Sequence, residues 1–311
     1  MNRQQQRILV LGAGAVGGYF GGRLLEKGCD VTFLVRPRRK KQLVEQGLVI
    51  RSIHGDYRSP VRAITAGEKA GPFDIVLLSV KAYHLEQALP TIRPYVSDQT
   101  WILPLLNGIV HLDRLKREFS PDRVLGGLCF IETTLTEQGE VEQYSRRHDL
   151  VFGELDRRET DRIRRLEELF RGARIQARAS NDILREMWNK YIFISTFSGI
   201  TSLMNSSIGP VLQSGYGTEI TRRLLEEIVR VARGKEPSLH EGTADQTYST
   251  IRHLEPTMKS SMLRDIEKNM PVEADHLHGA LIRMAPEGVD LPLLKTVFSF
   301  LKTYESRLQS K

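Results

Sequence analysis

The chain lacks the cysteines of a disulfide-bonded scaffold and the low-complexity tracts of a disordered protein. Its 311 residues include two cysteines, Cys29 and Cys129, which form neither a Cys-x-x-Cys motif nor a Cys/His pair. The eight histidines are scattered, so we expect no metal site. With 40% hydrophobic and 27% charged residues, the composition is that of a globular protein of about two domains.

No segment has the pattern expected of a membrane span or a targeting signal. Residues 191–218 carry no charge, but serines, threonines and the pair Gly209-Pro210 interrupt them, which favours a buried helix that ends near Asn205. The apolar run after Arg7 is rich in glycine and lacks a cleavage site. We therefore expect a cytoplasmic protein that does not contact membranes.

The excess of positive charge lies in the first part of the chain. The sequence has 45 Lys and Arg against 38 Asp and Glu, a net charge of +7 at pH 7. Residues 1–180 hold 29 basic and 22 acidic residues, while residues 181–311 hold 16 of each. This distribution predicts an anionic ligand in the first part. We expect no nucleic acid, because aromatic residues do not interleave the basic cluster and no RNA-binding motif is present.

Short apolar segments alternate with helical patterns over the first 180 residues. These segments are residues 8–11, 31–35, 75–80, 101–106, 124–130 and 150–152. Continuous apolar strands separated by helices indicate a mostly parallel sheet covered on both faces. The charged residues 146–149 are expected to form a turn. The later helical segments are residues 182–205, 216–233, 241–253, 259–268, 273–285 and 291–308.

The predicted fold class is therefore α/β. Residues 1–180 are expected to form a Rossmann-type, doubly wound parallel sheet that binds a cofactor. Residues 181–311 are expected to form an all-α domain that binds the substrate and carries the catalytic groups.

A glycine-rich loop joins the first strand to the first helix. Its sequence, Gly12-Ala13-Gly14-Ala15-Val16-Gly17, has the GxGxxG spacing and lies in a strand–helix–strand context. Gly12 permits the tight turn, Gly14 lets the backbone approach a pyrophosphate, and Gly17 lets helix and strand pack closely. The free N–H groups of the helix N-terminus, at Ala15 and Val16, favour the same anion. The loop predicts a dinucleotide site.

The residue at the end of the second strand selects between the two nicotinamide cofactors. Chains that bind NAD carry Asp or Glu there to hold the ribose 2′-hydroxyl. This chain carries Arg36, and a guanidinium holds a 2′-phosphate through two hydrogen bonds. We predict NADP(H), with Arg36 as the main contact and Arg38 or Arg39 in support. Lys40 and Lys41 are expected to be solvated.

Two further loops follow strand ends and are expected at the same edge of the sheet. Lys81 is placed to neutralise a cofactor phosphate, and Asn107 to hydrogen-bond the nicotinamide ribose or the substrate. Each residue is equally consistent with a plain cap at the end of a strand.

Motifs along nearly the whole chain resemble those of the ketopantoate reductase family. They are GAGAVGGYFGGRL at the start, SVKAY at 79–83, LLNGI at 105–109, EMWNKY at 186–191, KSSMLRDI at 259–266 and VEADHLHG at 272–279. The resemblance implies an NADPH-dependent oxidoreductase that reduces a 2-oxo acid to a 2-hydroxy acid. The first expected substrate is 2-dehydropantoate (ketopantoate), which is reduced to pantoate in pantothenate biosynthesis.

The resemblance also implies roles for individual residues. Lys190 is the catalytic lysine and general acid, Glu273 is the carboxylate that contacts the substrate, and Ser261 and Asn107 bind the substrate. The chemistry is consistent, because hydride transfer to a keto carbon leaves charge on oxygen, which an ammonium stabilises and then protonates. Without the resemblance, Lys190 would be interpreted as a lysine at the edge of a buried segment and Glu273 as a surface helix residue.

The chain departs from the family's pattern at three positions. Members that reduce ketopantoate commonly carry asparagines four and eight residues after the lysine, where this chain has Ile194 and Ser198. Many members also carry an asparagine three residues before the serine that corresponds to Ser261, where this chain has Met258. Ile194 and Ser198 share a helix face with the lysine and are expected to line the substrate site. These changes predict either a more apolar 2-oxo acid or replacement contacts from residues such as Thr201 and Asn205.

Other functions stay open on sequence grounds. One is a sensor or partner protein that binds NADPH without turnover, although the retention of Lys190, Glu273 and Ser261 argues against it. Another is an opine or 3-hydroxy-acid dehydrogenase on the same scaffold. The oligomeric state is open between a monomer and a homodimer, because the apolar helix after Lys190 can be buried within the helical domain or at a dimer interface.

Overall fold

The computed structural model describes residues 6–309 and divides the chain into two compact units. Within the described residues, unit 1 covers 6–106 and 111–184, and unit 2 covers 107–110 and 185–309. The ends of the two predicted domains, residues 1–5 and 310–311, lie outside the described residues. No helix in residues 6–309 is both long enough and apolar enough to cross a membrane.

Unit 1 contains a parallel sheet of Rossmann type. The strands of the unit are β1 (Arg7–Leu11), β2 (Asp30–Leu34), β3 (Leu48–Ser52), β4 (Tyr57–Ser59), β5 (Arg62–Ile64), β6 (Phe73–Leu78), β7 (Val96–Pro104), β8 (Gly126–Leu135), β9 (Val141–Gly153) and β10 (Gln176–Ala179). Five of them form a parallel sheet in the order β5-β2-β1-β6-β7. From β1 the strand order runs one way to β2 and β5 and the other way to β6 and β7. Sheets of this kind bind ligands at the carboxyl ends of the two strands where the order changes, here β1 and β6.

Helices flank this sheet as the predicted α/β fold requires. They are α1 (Ala15–Glu26), α2 (Pro37–Gln46), α3 (Leu85–Ile92) and α4 (Val110–Phe119), while α5 (Asp161–Phe170) packs on β10. Glycines allow α1 to approach strands on two sides. A Cβ added to Gly21 would lie 2.8 Å from the Phe33 ring of β2, and one added to Gly22 would lie 2.5 Å from Ile50 of β3. The helix is therefore packed between two layers, which bury its apolar side chains.

A second, mixed sheet was not predicted from the sequence. Its order is β10-β9-β3-β4, and β8 pairs with β9 as an antiparallel hairpin. The predicted strands at 124–130 and 150–152 belong to this sheet, so their assignment to the parallel sheet was wrong. An apolar run in the sequence indicates that a strand is buried, but it does not identify the strand with which it pairs. The connection from β8 to β9 is short, and strands joined in this way pair antiparallel.

The charged residues 146–149 lie inside β9, so the predicted turn was also wrong. His148 pairs with Ile131 of β8, and the strand exposes Arg147 while it buries His148. This alternation is typical of a strand with one buried face. The rings of His148 and His54 stack with centroids 3.7 Å apart. Burial, followed by the neighbouring charge of His54, lowers the pKa of His148 to about 4.

Unit 2 is helical, as predicted. Its helices are α6 (Ile183–Leu203, which begins two residues before the unit), α7 (Ile208–Gln213), α8 (Gly217–Lys235), α9 (Thr243–Arg252), α10 (Ser261–Glu267), α11 (Ala280–Met284) and α12 (Pro292–Gln309), with one turn of π-helix at Asp275–Gly279. Residues 185–309 contain no strand. Fully buried side chains such as Ile200, Leu224 and Leu294 join α6, α8 and α12 in one core. All six predicted helical segments are present, whereas α7 and the π-turn were not predicted.

Candidate active site

The glycine-rich loop lies where β1 and β6 end. Gly12 has φ +93°, in the left-handed region that favours glycine, and its N–H donates to the Leu34 carbonyl at 3.0 Å. The Ser79 hydroxyl lies 3.0 Å from the carbonyl oxygens of both Leu11 and Gly12. A Cβ on Gly17 would lie 2.0 Å from the Gly12 oxygen and 2.1 Å from Ser79 Oγ. The first turn of α1 therefore packs on the loop at a distance that excludes any side chain at Gly17.

The space at Gly14 is open, in contrast to that at Gly17. A Cβ on Gly14 would have no atom of residues 6–309 within 4 Å, apart from those of its two chain neighbours. Gly14 is the N-cap of α1, no side chain caps the helix there, and the first turn contains no acidic residue. The first N–H groups of a helix, here at Ala15 and Val16, lack partners within the helix and form its positive end. These features fit the pyrophosphate of a dinucleotide.

The arginines after β2 have different roles in the structure. Arg36 and Arg38 are exposed. Arg39 is partly buried, and its guanidinium donates to the carbonyl oxygens of Ala13 at 3.0 Å and Gly139 at 2.8 Å. Arg39 thus ties the glycine-rich loop to the β8–β9 hairpin. Arg36 and Arg38 are the arginines of this cluster whose side chains face solvent.

The two lysines of the cluster differ from each other. Lys40 Nζ lies 2.7 Å from both carboxylate oxygens of Glu68, so the expectation that Lys40 is simply solvated was wrong. The same carboxylate accepts from the Thr65 backbone N–H, and it bridges α2 to the loop after β5. Lys41 is exposed and lies 3.8 Å from Glu45.

A second loop lies beside the arginine cluster at the same edge of the sheet. It follows β6, contains the partly exposed Lys81, and ends in a short 3₁₀ turn at Ala82–His84. Burial lowers the pKa of His84, and the positive charge of Arg36 lowers it further. Arg36 and His84 therefore lie within electrostatic reach of each other. Arg36, the residue predicted to bind the 2′-phosphate, is thus close to this loop.

Lys190 and Glu273 are both buried in unit 2. Lys190 lies in the second turn of α6 with 7% of its surface exposed, and Glu273 lies just before the π-turn with 9% exposed. Trp188 and Tyr191, on either side of Lys190, belong to the apolar core. Fully buried lysines and glutamates are rare in proteins. Both residues are therefore more buried than we would expect from the sequence without the family resemblance.

The loop at residues 107–110 groups with unit 2 although the strand before it belongs to unit 1. The carbonyl oxygen of Asn107 lies 2.7 Å from His276 Nε2. Gly108 has φ +74°, and a Cβ there would lie 3.2 Å from the same His276 nitrogen. Asn107 is thereby held against the segment that carries Glu273, through a contact between residues 169 apart in the sequence.

The two adjacent serines at the start of α10 have different surroundings. Ser261, the predicted substrate contact, is exposed. Ser260 is buried, its hydroxyl accepts from the Leu263 N–H as the N-cap of α10, and it lies 2.9 Å from the Thr201 hydroxyl of α6. Ser260 therefore has a structural role, and Ser261 is the serine accessible to a ligand.

The positions where the family often has asparagine are mostly apolar or buried. Ile194 is partly exposed, and Met258 is partly buried against the core of unit 2. Ser198 is buried, and its hydroxyl makes no hydrogen bond within the described residues. Thr201 is buried and donates to the Phe197 carbonyl at 2.6 Å.

Sequence reasoning missed three residues that shape these loops. Ser79 had a signal, since it lies in the SVKAY motif. Arg39 was expected, as an alternative to Arg38, to support Arg36, and its bond to Gly139 depends on the hairpin that was not predicted. His276 lies in the VEADHLHG motif, but nothing in that motif signals its bond to the Asn107 carbonyl. No group of three or more His, Cys, Asp or Glu in residues 6–309 is arranged to hold a metal ion.

Comparisons with known proteins agree over nearly the whole chain. The family model described as ketopantoate reductase PanE/ApbA matches residues 8–157, and the model of its C-terminal part matches residues 182–305. An uncharacterized oxidoreductase of Bacillus subtilis, YkpB, is 42% identical over 301 residues, which are 96% of this chain and 99% of the relative.

Solved structures share the fold of this chain. The 2-dehydropantoate 2-reductase of Geobacter metallireducens has a TM-score of 0.87 and 29% identity, covering 96% of this chain and 99% of that one. A D-mandelate dehydrogenase in complex with NADH and anilino(oxo)acetate has a TM-score of 0.88 at 20% identity, covering 97% and 99%. The chain therefore belongs to the ketopantoate reductase family of oxidoreductases that act on CH–OH groups.

Proposed function

We propose that this chain uses NADPH to reduce a 2-oxo acid to a 2-hydroxy acid, with ketopantoate as the first expected substrate. The observation that carries the proposal is the burial of Lys190 and Glu273 within one unit of a chain of this family. Both residues are costly to desolvate as ions, and a low dielectric strengthens their effect on any bound substrate.

The proposed reaction assigns a distinct task to each residue. The dinucleotide, when bound, supplies a hydride to C2 of the oxo acid. Lys190 hydrogen-bonds the keto oxygen, stabilises the charge that develops there, and gives it the proton of the new hydroxyl group. Glu273, Ser261 and Asn107 orient the substrate. The backbone from Gly12 to Gly17 and the guanidinium of Arg36 hold the cofactor.

The preference for NADPH over NADH is expected to depend on Arg36. In the Arg36→Gln variant, the Kd for NADPH should rise about 10- to 100-fold, because a charge-assisted hydrogen bond is worth about 1.5–3 kcal/mol. The Kd for NADH, which has no 2′-phosphate, should change less than about twofold. Titration of nicotinamide fluorescence on each purified variant measures both constants.

Arg39 provides the matched comparison for this experiment. The Arg39 guanidinium donates to the Ala13 carbonyl of the glycine-rich loop, which serves both cofactors. Its replacement by glutamine should therefore raise the Kd for NADPH and the Kd for NADH by a similar factor. Arg38→Gln tests the remaining exposed arginine. If Arg36→Gln weakened NADPH and NADH equally, the assignment of Arg36 to the 2′-phosphate would be wrong.

A second candidate function differs only in the substrate, and the positions after Lys190 favour it. Ile194 presents an apolar, partly exposed side chain where ketopantoate-reducing members commonly have an amide. Thr201 is hydrogen-bonded within unit 2 and Asn205 lies beyond the end of α6, so we expect neither to replace that amide. The alternative is therefore an NADPH-dependent reductase of a more apolar 2-oxo acid.

A substrate panel distinguishes the two candidates. NADPH oxidation would be followed with ketopantoate, branched-chain and aromatic 2-oxo acids, on the wild type and on the Ile194→Asn variant. If the pocket is apolar, the wild type should prefer the apolar acids. The variant should then gain about tenfold in kcat/KM for ketopantoate relative to them, since one recovered hydrogen bond to a hydroxyl is worth about 1–3 kcal/mol.

Three results of the panel have different meanings. Clear preference of the wild type for ketopantoate would exclude the apolar candidate and would place the reaction in pantothenate biosynthesis. Turnover that needs an amine would indicate an opine dehydrogenase. Binding of NADPH without turnover of any acid would contradict the proposed function and favour a sensor. A cytoplasmic location stays a prediction of the proposal, and the assembly stays open between a monomer and a homodimer.

A further inference from the structure

The π-turn at Asp275–Gly279 carries a histidine that contacts the loop of Asn107. His276 is partly buried, and its Nε2 lies 2.7 Å from the Asn107 carbonyl oxygen. Its ring also packs on Gly108, whose missing side chain leaves room for the Nε2 edge. Single π-turns inside helical segments are frequent at functional sites. The histidine thus connects two segments that both carry predicted site residues.

The chemistry of the contact fixes which nitrogen carries the proton. A carbonyl oxygen only accepts hydrogen bonds, so His276 Nε2 must donate. Burial lowers the pKa of His276, and the negative charge of Glu273 opposes this shift. The ring is therefore neutral at pH 7, with its proton on Nε2. It lies within electrostatic reach of Glu273.

The π-turn is also tied to the helix that carries Lys190. The Tyr191 hydroxyl, one residue after Lys190, donates to the carbonyl oxygen of Leu277 and lies 3.4 Å from that of His276. Tyr191 is almost fully buried, so this bond is shielded from solvent. The turn therefore links helix α6, the segment of Glu273 and the loop of Asn107 within unit 2.

We propose that His276 is a positioning residue that holds the Asn107 loop in register with Glu273 and Lys190 through its Nε2–H bond to the Asn107 carbonyl. The inference rests on the proposed function for the importance of those three residues. It assigns to His276 no contact with the substrate. Its task is to fix the main chain at residues 107 and 108, so that the Asn107 side chain stays oriented for the substrate. Misplacement of a contact residue by about 1 Å can reduce turnover about 10²-fold.

Two substitutions at position 276 separate the hydrogen bond from the volume of the ring. In His276→Gln, the side-chain amide can place an N–H donor near the position of Nε2, so the bond to Asn107 is retained. In His276→Met, the volume is similar but the donor is lost. His253→Met, at an exposed site on α9's C-terminal end, is the control for replacement of a histidine by methionine.

The first measurement is amide hydrogen exchange of the peptide that covers residues 105–112, which needs no substrate. Exchange there should become at least about fivefold faster in His276→Met than in the wild type, while His276→Gln and His253→Met stay close to the wild type. Unchanged exchange in His276→Met would overturn the proposal. The melting temperature of each variant shows whether unit 2 as a whole has been destabilised instead.

The second measurement is the kinetics with the best substrate of the panel. His276→Met should lose about 10- to 100-fold in kcat, with the Kd for NADPH unchanged within about twofold, and His276→Gln should recover most of the rate. Equal loss in both variants, or a loss that follows the melting temperature, would overturn the positioning role. If the wild type reduces no 2-oxo acid, the proposed function fails, and the exchange experiment still decides whether His276 holds the loop.

Discussion

Replacement of Lys190 by methionine is expected to lower kcat for 2-oxo-acid reduction by about 10²–10⁴-fold, the usual contribution of a general acid. The ammonium stabilises charge on the keto oxygen and protonates it, and methionine offers neither a charge nor a proton. The Kd for NADPH should stay within about twofold, since the proposed reaction gives Lys190 a contact with the keto oxygen and none with the cofactor. Stopped-flow or steady-state measurement of NADPH absorbance gives kcat, and fluorescence titration gives the Kd.

The control for this variant is the neighbouring residue on the same helix. Asn189 is exposed where Lys190 is buried, so Asn189→Ala should leave kcat unchanged within about twofold. Methionine fills a similar volume, but removal of one member of a buried charged pair can destabilise a protein by several kcal/mol, so the melting temperature of the Lys190→Met protein is measured beside its kcat. A variant that folds, binds NADPH and retains more than a third of the wild-type kcat would show that Lys190 is not the acid.

The same pair of measurements tests the sensor interpretation. A protein that only reports NADPH would bind it equally in the wild type and in Lys190→Met and would reduce no acid in either form. Retention of a buried lysine would then need a structural reason, and its replacement should change the free energy of unfolding. An enzyme is distinguished by its turnover, because the wild type reduces an acid and Lys190→Met lowers kcat strongly.

The parallel sheet and the phosphate loop could be predicted because their signals are local. The sequence from β1 to β2 spans fewer than thirty residues, and within it the positions of Gly12, Gly14 and Gly17 already specify a strand, a turn and a helix. Helix periodicity likewise predicted the helices of unit 2 to within a few residues at each end. Each of these inferences needs only the residues of one element and its neighbours.

The second sheet could not be predicted because its pairings depend on distant residues. Strand β9 runs for 13 residues and pairs with β8, β3 and β10, which lie before and after it in the sequence. Its charged stretch at 146–149 resembles a turn until the partner strand is known, since pairing with β8 is what buries His148 and exposes Arg147. The role of Arg39 was missed for the same reason, because one of its acceptors, Gly139, lies in that hairpin.

The internal contacts of the candidate site could not be predicted from the sequence. Lys190 and Glu273 were named from the resemblance, but their burial is a property of the packed helices. The bond between His276 and Asn107 joins residues 169 apart, and no pattern within either segment signals it. The difference between Ser260 and Ser261 likewise depends on Thr201 of another helix.

Replacement of Gly17 and of Gly14 by alanine is expected to cause two different defects, loss of stability at Gly17 and loss of cofactor binding at Gly14. Gly17→Ala places a Cβ 2.0 Å from the Gly12 oxygen and 2.1 Å from Ser79 Oγ, and both atoms are held by the ends of β1 and β6. Helix α1 must move away from the loop, so we expect the free energy of unfolding to fall by about 1–3 kcal/mol or more. Urea denaturation followed by circular dichroism measures the change.

Gly14→Ala should fold normally and fail to bind the dinucleotide. Within the described part of the chain its Cβ meets no atom closer than 4 Å beyond its neighbours, and its φ of −80° suits alanine, so the free energy of unfolding should change by less than about 0.5 kcal/mol. The methyl group would instead occupy the space through which the pyrophosphate reaches the N–H groups of α1. Loss of two charge-assisted bonds should raise the Kd for NADPH and NADH alike by about 100-fold or more. A Gly14→Ala protein that binds NADPH as the wild type does would place the pyrophosphate elsewhere, because nothing else in the structure opposes that side chain.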